Sequence, residues 1–212
     1  MQTIILENKK EIVSVVFGLL VLSFLSFFLI THSLYKTMNV SMMPTLLVGD
    51  HLFINTGTYQ PEQGDVVVFS NPKNGKSYIR RLVGFPGDRV QMKNGALYLN
   101  GEPAKTVSTG TPSEYAEILP NGRIYTILKT KPTGLGRVDN TEEFIVPKDH
   151  YFVLGDNRIV SVDSREAGRV GFVSKENLKG KAAFIYFSTS GHLYKPWTWF
   201  SVRLNRIFTR IH

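Results

Sequence analysis

Apolar and polar positions alternate in two different ways along this chain. Residues Val13 to Ile30 read VSVVFGLLVLSFLSFFLI, with no charge, no proline and one glycine. An uncharged run of about 18 residues or more can cross a bilayer as a helix. Helix is required there, because lipid offers no partner to free backbone N–H and C=O groups. The pattern predicts a tail over residues 1–11, a single span over 12–31 and one domain over 32–212. A cleavable leader is the alternative. The run is too long for one, and Thr31-His32-Ser33 is a poor cleavage site.

Past the run the period changes to that of strands. Asp65–Ser70, Tyr78–Val83, Ala96–Asn100, Arg123–Leu128, Tyr151–Leu154 and Ala182–Phe187 are short segments rich in Val, Ile, Phe and Tyr. Asn74-Gly75, Pro86-Gly87-Asp88, Asn94-Gly95, Asn100-Gly101, Asn121-Gly122 and Gly155-Asp156-Asn157 punctuate them. Such spacing predicts a mainly β, antiparallel domain. Asn94-Gly95 and Asn121-Gly122 suit two-residue hairpin turns, which need positive φ at both positions. Residues 102–146 are more polar and read as an excursion from the core, a hairpin with long loops.

Composition adds less. The length suits one domain and an anchor. The net charge of +8 suits a domain held against anionic lipid. No zinc spacing, phosphate loop or RNA-binding signature accompanies it, so no nucleic-acid partner is expected. The chain has no cysteine and makes no disulfide. Histidines are scattered and carboxylates lack ligand spacing, so neither metal nor other cofactor is expected. Lys9 and Lys10 before the apolar run place the N-terminus in the cytoplasm and the β domain outside. Toward the end, Pro196-Trp-Thr-Trp-Phe200 is followed by Arg203, Arg206 and Arg210. This pattern fits a membrane interface or a C-terminal helix packed on the sheet, and the two are compatible.

Four segments carry candidate chemistry, in this order: Ser41-Met-Met-Pro-Thr-Leu46; Gly64-Asp-Val-Val-Val-Phe69; Tyr78-Ile-Arg-Arg-Leu-Val-Gly-Phe-Pro-Gly-Asp-Arg-Val90; and Gly155-Asp-Asn-Arg158 with Ser161 and Asp163-Ser-Arg165. Together they resemble type I signal peptidase, the bacterial leader peptidase family. The resemblance implies antiparallel sheets with a hydrophobic face on the membrane, behind one N-terminal transmembrane helix. It also implies a single-pass monomer of the bacterial inner (plasma) membrane that cuts signal peptides from exported preproteins. Its partners would be membrane lipid and preproteins with small residues at −1 and −3. By position, Ser41 is the nucleophile and Arg80 stands where the family has its lysine base. Ser161 matches a serine that orients the base. Asp163 and Arg165 match a charged pair that shapes the site. Asn39 falls where relatives often have a serine that helps Ser41 N–H bind the oxyanion.

Chemistry agrees with most of this. A serine hydroxyl attacks only when a neighbour takes its proton, and Ser–Lys pairs do so when burial keeps the lysine neutral. The oxyanion needs fixed donors, and an Asn39 amide can donate as a hydroxyl can. Arg80 is different. A guanidinium has no acceptor atom and stays protonated; bringing it to neutrality would cost about 7 kcal/mol. The expected consequence is a rate loss on the order of 10³-fold or more. The alternative function is an impaired homologue that binds preprotein tails or acts as a membrane scaffold. His51 and His150 are possible bases by type. Lys76 shares the Arg80 face if the strand extends that far, roughly 13 Å away. Met42 and Met43 line a groove or, as favoured here, anchor the segment in lipid. Asp156 and Asn157 build a turn, and Asp163 with Arg165 suits a structural ion pair.

Overall fold

The computed structural model describes residues 12–23, 26, 32–57, 59–129, 138–191 and 201–212. Residues 12–23 are helical. Part of the predicted span over 12–31, the lysine flank and the aromatic tail segment 196–200 lie outside the described residues. Among the described residues no helix is long and apolar enough to cross a membrane.

The rest is antiparallel β, as the turn spacing predicts. The main sheet contains β1 (His32–Lys36), β2 (Asp50–Asn55), β3 (Val66–Ser70) and β4 (Ser77–Gly84). A second sheet holds β5 (Arg89–Lys93), β6 (Ala96–Leu99) and β7 (Glu102–Pro103), and a third holds β8 (Lys105–Ser108), β9 (Glu114–Ile118) and β10 (Ile124–Leu128). β11 (Phe144–Ile145) pairs with β5. β12 (His150–Leu154), β13 (Val173–Ser174), β14 (Leu178–Ser188) and β15 (Thr209–Arg210) return to the main sheet. Its order is β1-β2-β14-β3-β4-β12-β13, with β15 beside β14.

Two patterns explain this order. β3 reads Val-Val-Val-Phe without alternation, as a strand covered on both faces should. Val66 and Val68 enter one core with Leu52, Ile54 and Ile185, and Val67 and Phe69 enter another with Leu82 and Val153. β2 alternates instead: Asp50, Leu52 and Ile54 are buried, while His51 and Phe53 turn outward toward Tyr186, Phe187 and Phe184.

One local expectation holds and three need amendment. Asn94-Gly95 makes the expected two-residue turn, with φ of 49° and 72°. Asn121-Gly122 does not: β9 and β10 are joined by a wider loop, with Gly122 N–H donating to Leu119 O. Pro120 has its φ fixed and no N–H for a ladder, so the turn forms around it. The described residues of 102–146 are no loose hairpin: Leu119, Tyr125, Ile127 and Val146 share a core with Val83, Phe152 and Leu154. Finally, residues 201–212 form no α-helix, only a short 3-10 turn over Leu204–Arg206; β15 adds to the sheet, while Arg206 pairs with buried Asp50 at 2.6 Å and Arg203 donates to Ser188 Oγ.

Candidate active site

The Ser41 segment is a tight turn between β1 and β2. Met43 N–H donates to Val40 O and Leu46 N–H to Met42 O. Met42 and Leu46 are buried in the core beneath the turn. Met42 therefore anchors the segment in protein, not in lipid, because its side chain completes a packed cluster. Ser41 itself is 7% exposed.

A second loop, residues 155–165, clamps this turn from the other side. Asn157 N–H donates to Ser41 O at 3.0 Å, and Asn157 Nδ2 donates to Val40 O at 3.1 Å. Gly155 makes this approach possible. A Cβ built there would lie 2.0 Å from Ser161 Oγ and 2.6 Å from Ser41 O. Ser41 and Ser161 thus meet across Gly155. Ser161 Oγ is buried without a hydrogen-bond partner of good geometry, although it helps to hold the Asp163 carboxyl low. Asn157 Oδ1 is likewise buried and unpartnered.

Asp163 and Arg165 form a buried ion pair, Arg165 Nε donating at 2.8 Å and Nη2 at 2.9 Å. Asp163 also accepts from Gly155 N–H at 2.9 Å. Burial works to raise the Asp163 pKa, but Arg165 and these hydrogen bonds prevail, and it lies below the usual carboxylate value.

Arg80 joins the site through the neighbour of Ser161. It is 2% exposed, and its Nε and Nη2 donate to Val162 O at 3.0 and 2.7 Å. Nη1 donates to Ile79 O at 2.6 Å. Burial lowers its pKa to about 10, against the Asp163 and Tyr78 charges that raise it. Burial therefore supplies part of what neutralisation needs, and about 4 kcal/mol still separates a pKa near 10 from neutrality. Arg80 is a cation with its donors turned to backbone carbonyls.

The residues considered as substitute bases stand elsewhere. Lys76 is exposed in the turn before β4 and off the strand. His51 packs edge-on against Tyr186 and Phe187. His150 Nδ1 lies 2.8 Å from Lys148 O. Asn39 faces Ser41 in an unforeseen way. Ser41 N–H donates to Asn39 Oδ1 at 3.1 Å, so the expected backbone oxyanion donor is taken up by the Asn39 carboxamide oxygen. A cleft of about 340 Å³ runs beside them, lined by Tyr35, Thr37, Asn39 and Met42 on one side and Ser77 and Ile79 on the other.

Sequence reasoning missed the support beneath. Arg81, turned away from Arg80, pairs with buried Asp156 through Nε at 2.7 Å and Nη2 at 2.6 Å. Asp156 in turn accepts from Thr45 Oγ1 at 2.5 Å. Asp156 therefore ties β4 to the Ser41 turn as well as shaping its own loop. A charge inside the apolar run of β4 was the available signal, since a buried arginine demands a carboxylate.

The signal peptidase, peptidase S26 family model matches residues 9–187. The chain belongs to this family. Signal peptidase I of Rickettsia akari (strain Hartford) is 39% identical, with 72% of this chain and 66% of the relative covered. Signal peptidase I of Rickettsia typhi (strain ATCC VR-144 / Wilmington) is 40% identical, with 72% and 67% covered. The chain thus spans about two thirds of the length of these signal peptidases. A crystal structure of a signal peptidase I from Enterococcus faecalis V583 aligns at 28% identity, covering 58% of this chain and 97% of that one, with a TM-score of 0.38.

Proposed function

We propose that this chain is a membrane-anchored serine endopeptidase of the signal peptidase type that removes N-terminal signal peptides from exported preproteins. The observation that carries the reading is the clamp of residues 155–161 on Ser41, with the Ser161 hydroxyl buried beside it and without a partner of good hydrogen-bond geometry. A buried hydroxyl without a partner is costly, and it is well used where it orients a reacting group. An extended preprotein segment would lie in the cleft between residues 35–39 and 77–79. Ser41 Oγ would attack the scissile carbonyl, and Ser41 N–H would receive the oxyanion once the Asn39 carboxamide rotates to present Nδ2. Residues 12–31 would be the anchor and 32–212 the extracytoplasmic domain. The exposed apolar side chains over residues 12–22, such as Val13, Phe17 and Leu20, support contact with lipid.

Arg80 limits the chemistry. It has no lone pair to take the Ser41 proton, although a fixed cation can steady a developing oxyanion. Its commitment to Val162 O and Ile79 O favours the second reading, a homologue that binds preprotein tails and turns them over slowly. One comparison tests both: cleavage of a model preprotein by the protein and by Arg80→Lys, each with and without Ser41→Ala. The expected result is a kcat higher in Arg80→Lys on the order of 10³-fold, with KM little changed. Cleavage that survives Ser41→Ala overturns the assignment of the nucleophile. Equal kcat in the protein and Arg80→Lys means that another group is the base.

A further inference from the structure

We propose that Glu117 is a positioning residue for the Ser41 site, acting through Arg158 on the loop of residues 155–165. The proposal rests on the reading of Ser41 as nucleophile. Glu117 lies on β9, in the segment whose sequence looks detachable from the core. Its side chain is fully buried. Tyr125 Oη donates to Glu117 Oε2 at 2.6 Å, and Arg158 donates to both carboxylate oxygens, through Nη1 at 3.1 Å and through Nη2. Glu117 and Tyr125 are direct partners in the β9–β10 register. An apolar pair would join two strands there at least as well, so packing alone gives no reason for a buried charge.

Arg158 carries the effect inward. Its Nε donates to Gly155 O at 3.1 Å. Its backbone N–H donates to Leu128 O at 2.9 Å, and its carbonyl accepts from Arg165 Nη2 at 3.2 Å. The Arg158 side chain, its charge met by Glu117, therefore holds the loop at Gly155, while the Arg158 backbone ties the same residue to Leu128 and Arg165. At Gly155 clearance is small, since it passes between Ser161 and the Ser41 carbonyl with no room for a methyl group. A shift of a few tenths of an ångström in its carbonyl is passed to Ser161 and to Ser41. Positioning errors of about 1 Å cost on the order of 100-fold in rate.

The merely structural reading holds that the pair fastens β9 and nothing more. Glu117→Gln, read by kcat, separates the two, since it keeps the size and one acceptor oxygen but removes the charge and one of the acceptors that Arg158 and Tyr125 use. In the Arg80→Lys chain, Glu117→Gln is expected to lower kcat by roughly 10- to 100-fold with KM within about threefold, well below the unfolding temperature. The Arg158→Met variant and the Glu117→Gln/Arg158→Met double variant leave no unpaired buried arginine. The double variant is expected to lose no more than Arg158→Met alone, because both changes break one path. In the unmodified full chain in detergent micelles, Glu117→Gln is expected to shift the amide resonances of Gly155 and Ser161. The inference is overturned if kcat stays within about twofold of the parent, or if the two losses multiply as independent effects do. If the Arg80→Lys chain does not cleave at all, the enzymatic reading fails. The resonances then decide alone, and unmoved Gly155 and Ser161 amides overturn the positioning.

Discussion

At position 80 an amine and a guanidinium differ in the one property the reaction uses, a lone pair. Ser161 Oγ and Asn157 Oδ1 are buried on the loop that clamps Ser41, while Arg80 turns its donors to Val162 O and Ile79 O. Asn39 sets a second condition. For Ser41 N–H to reach an oxyanion it must leave Asn39 Oδ1, giving up a hydrogen bond worth about 0.5–1.5 kcal/mol. Asn39→Ala, made in the Arg80→Lys chain, should therefore lower both KM and kcat: the amide is freed, and the second oxyanion donor is lost. Steady-state kinetics on a peptide substrate check this, and an unchanged KM would show that the contact does not compete with substrate. Gly155→Ala should destabilise the fold by about 1–3 kcal/mol through overpacking. Thermal unfolding reads this as a fall of about 2–4 °C per kcal/mol for a chain of this size.

At the scale of elements, the loop after β12 is held by ion pairs, and this gives it a pH dependence. The Asp163 pKa is depressed in the folded protein by Arg165 and by the Gly155 N–H. Folding therefore favours the carboxylate. That stabilisation is fully present above the unfolded value, about 4, and is lost as pH falls through the folded value. Denaturant unfolding followed from pH 7 to pH 3 should show stability falling below about pH 4, and less steeply in Asp163→Asn. Removing one member of the Arg81–Asp156 pair leaves a buried charge alone, so Asp156→Ala should cost about 3–5 kcal/mol. It should also loosen Thr45 and the Ser41 turn. Circular dichroism melts and the Ser41→Ala-sensitive rate can be followed together in that variant.

For the whole molecule, the proposed topology places the β domain outside the cytoplasm behind a span at residues 12–31. A reporter fused after residue 212 should behave as exported, and a cytoplasmic signal would overturn the orientation. The cleft lined by Asn39, Met42 and Ile79 is the proposed seat of the preprotein segment, next in the chain to Ser41. Cleavage should require small residues at −1 and −3, checked by substituting bulky side chains at those positions of a model preprotein. Efficient processing of a bulky −1 residue would refute the assignment of the cleft.

Local features were legible from the chain because their causes are local. The Val-, Ile- and Phe-rich runs became β3, β4, β6, β10, β12 and β14, and Asn94-Gly95 became a tight turn because glycine and asparagine tolerate positive φ. The motif segments carried the family in the same way. Periodicity reports which face a side chain takes and is silent on its partner. Arg81 and Asp156 are 75 residues apart, Glu117 and Arg158 are 41 apart, and Arg206 and Asp50 are 156 apart. Such pairings exist only once the sheets have closed, so residues 102–146 read as an excursion although they supply Glu117 and Tyr125 to the buried network. The sequence alone determined that position 80 lacks a proton acceptor, since that is a property of the guanidinium. Only the tertiary structure decided where its donors point, because their targets, the Ile79 and Val162 carbonyls, are set by the backbone of two separate segments.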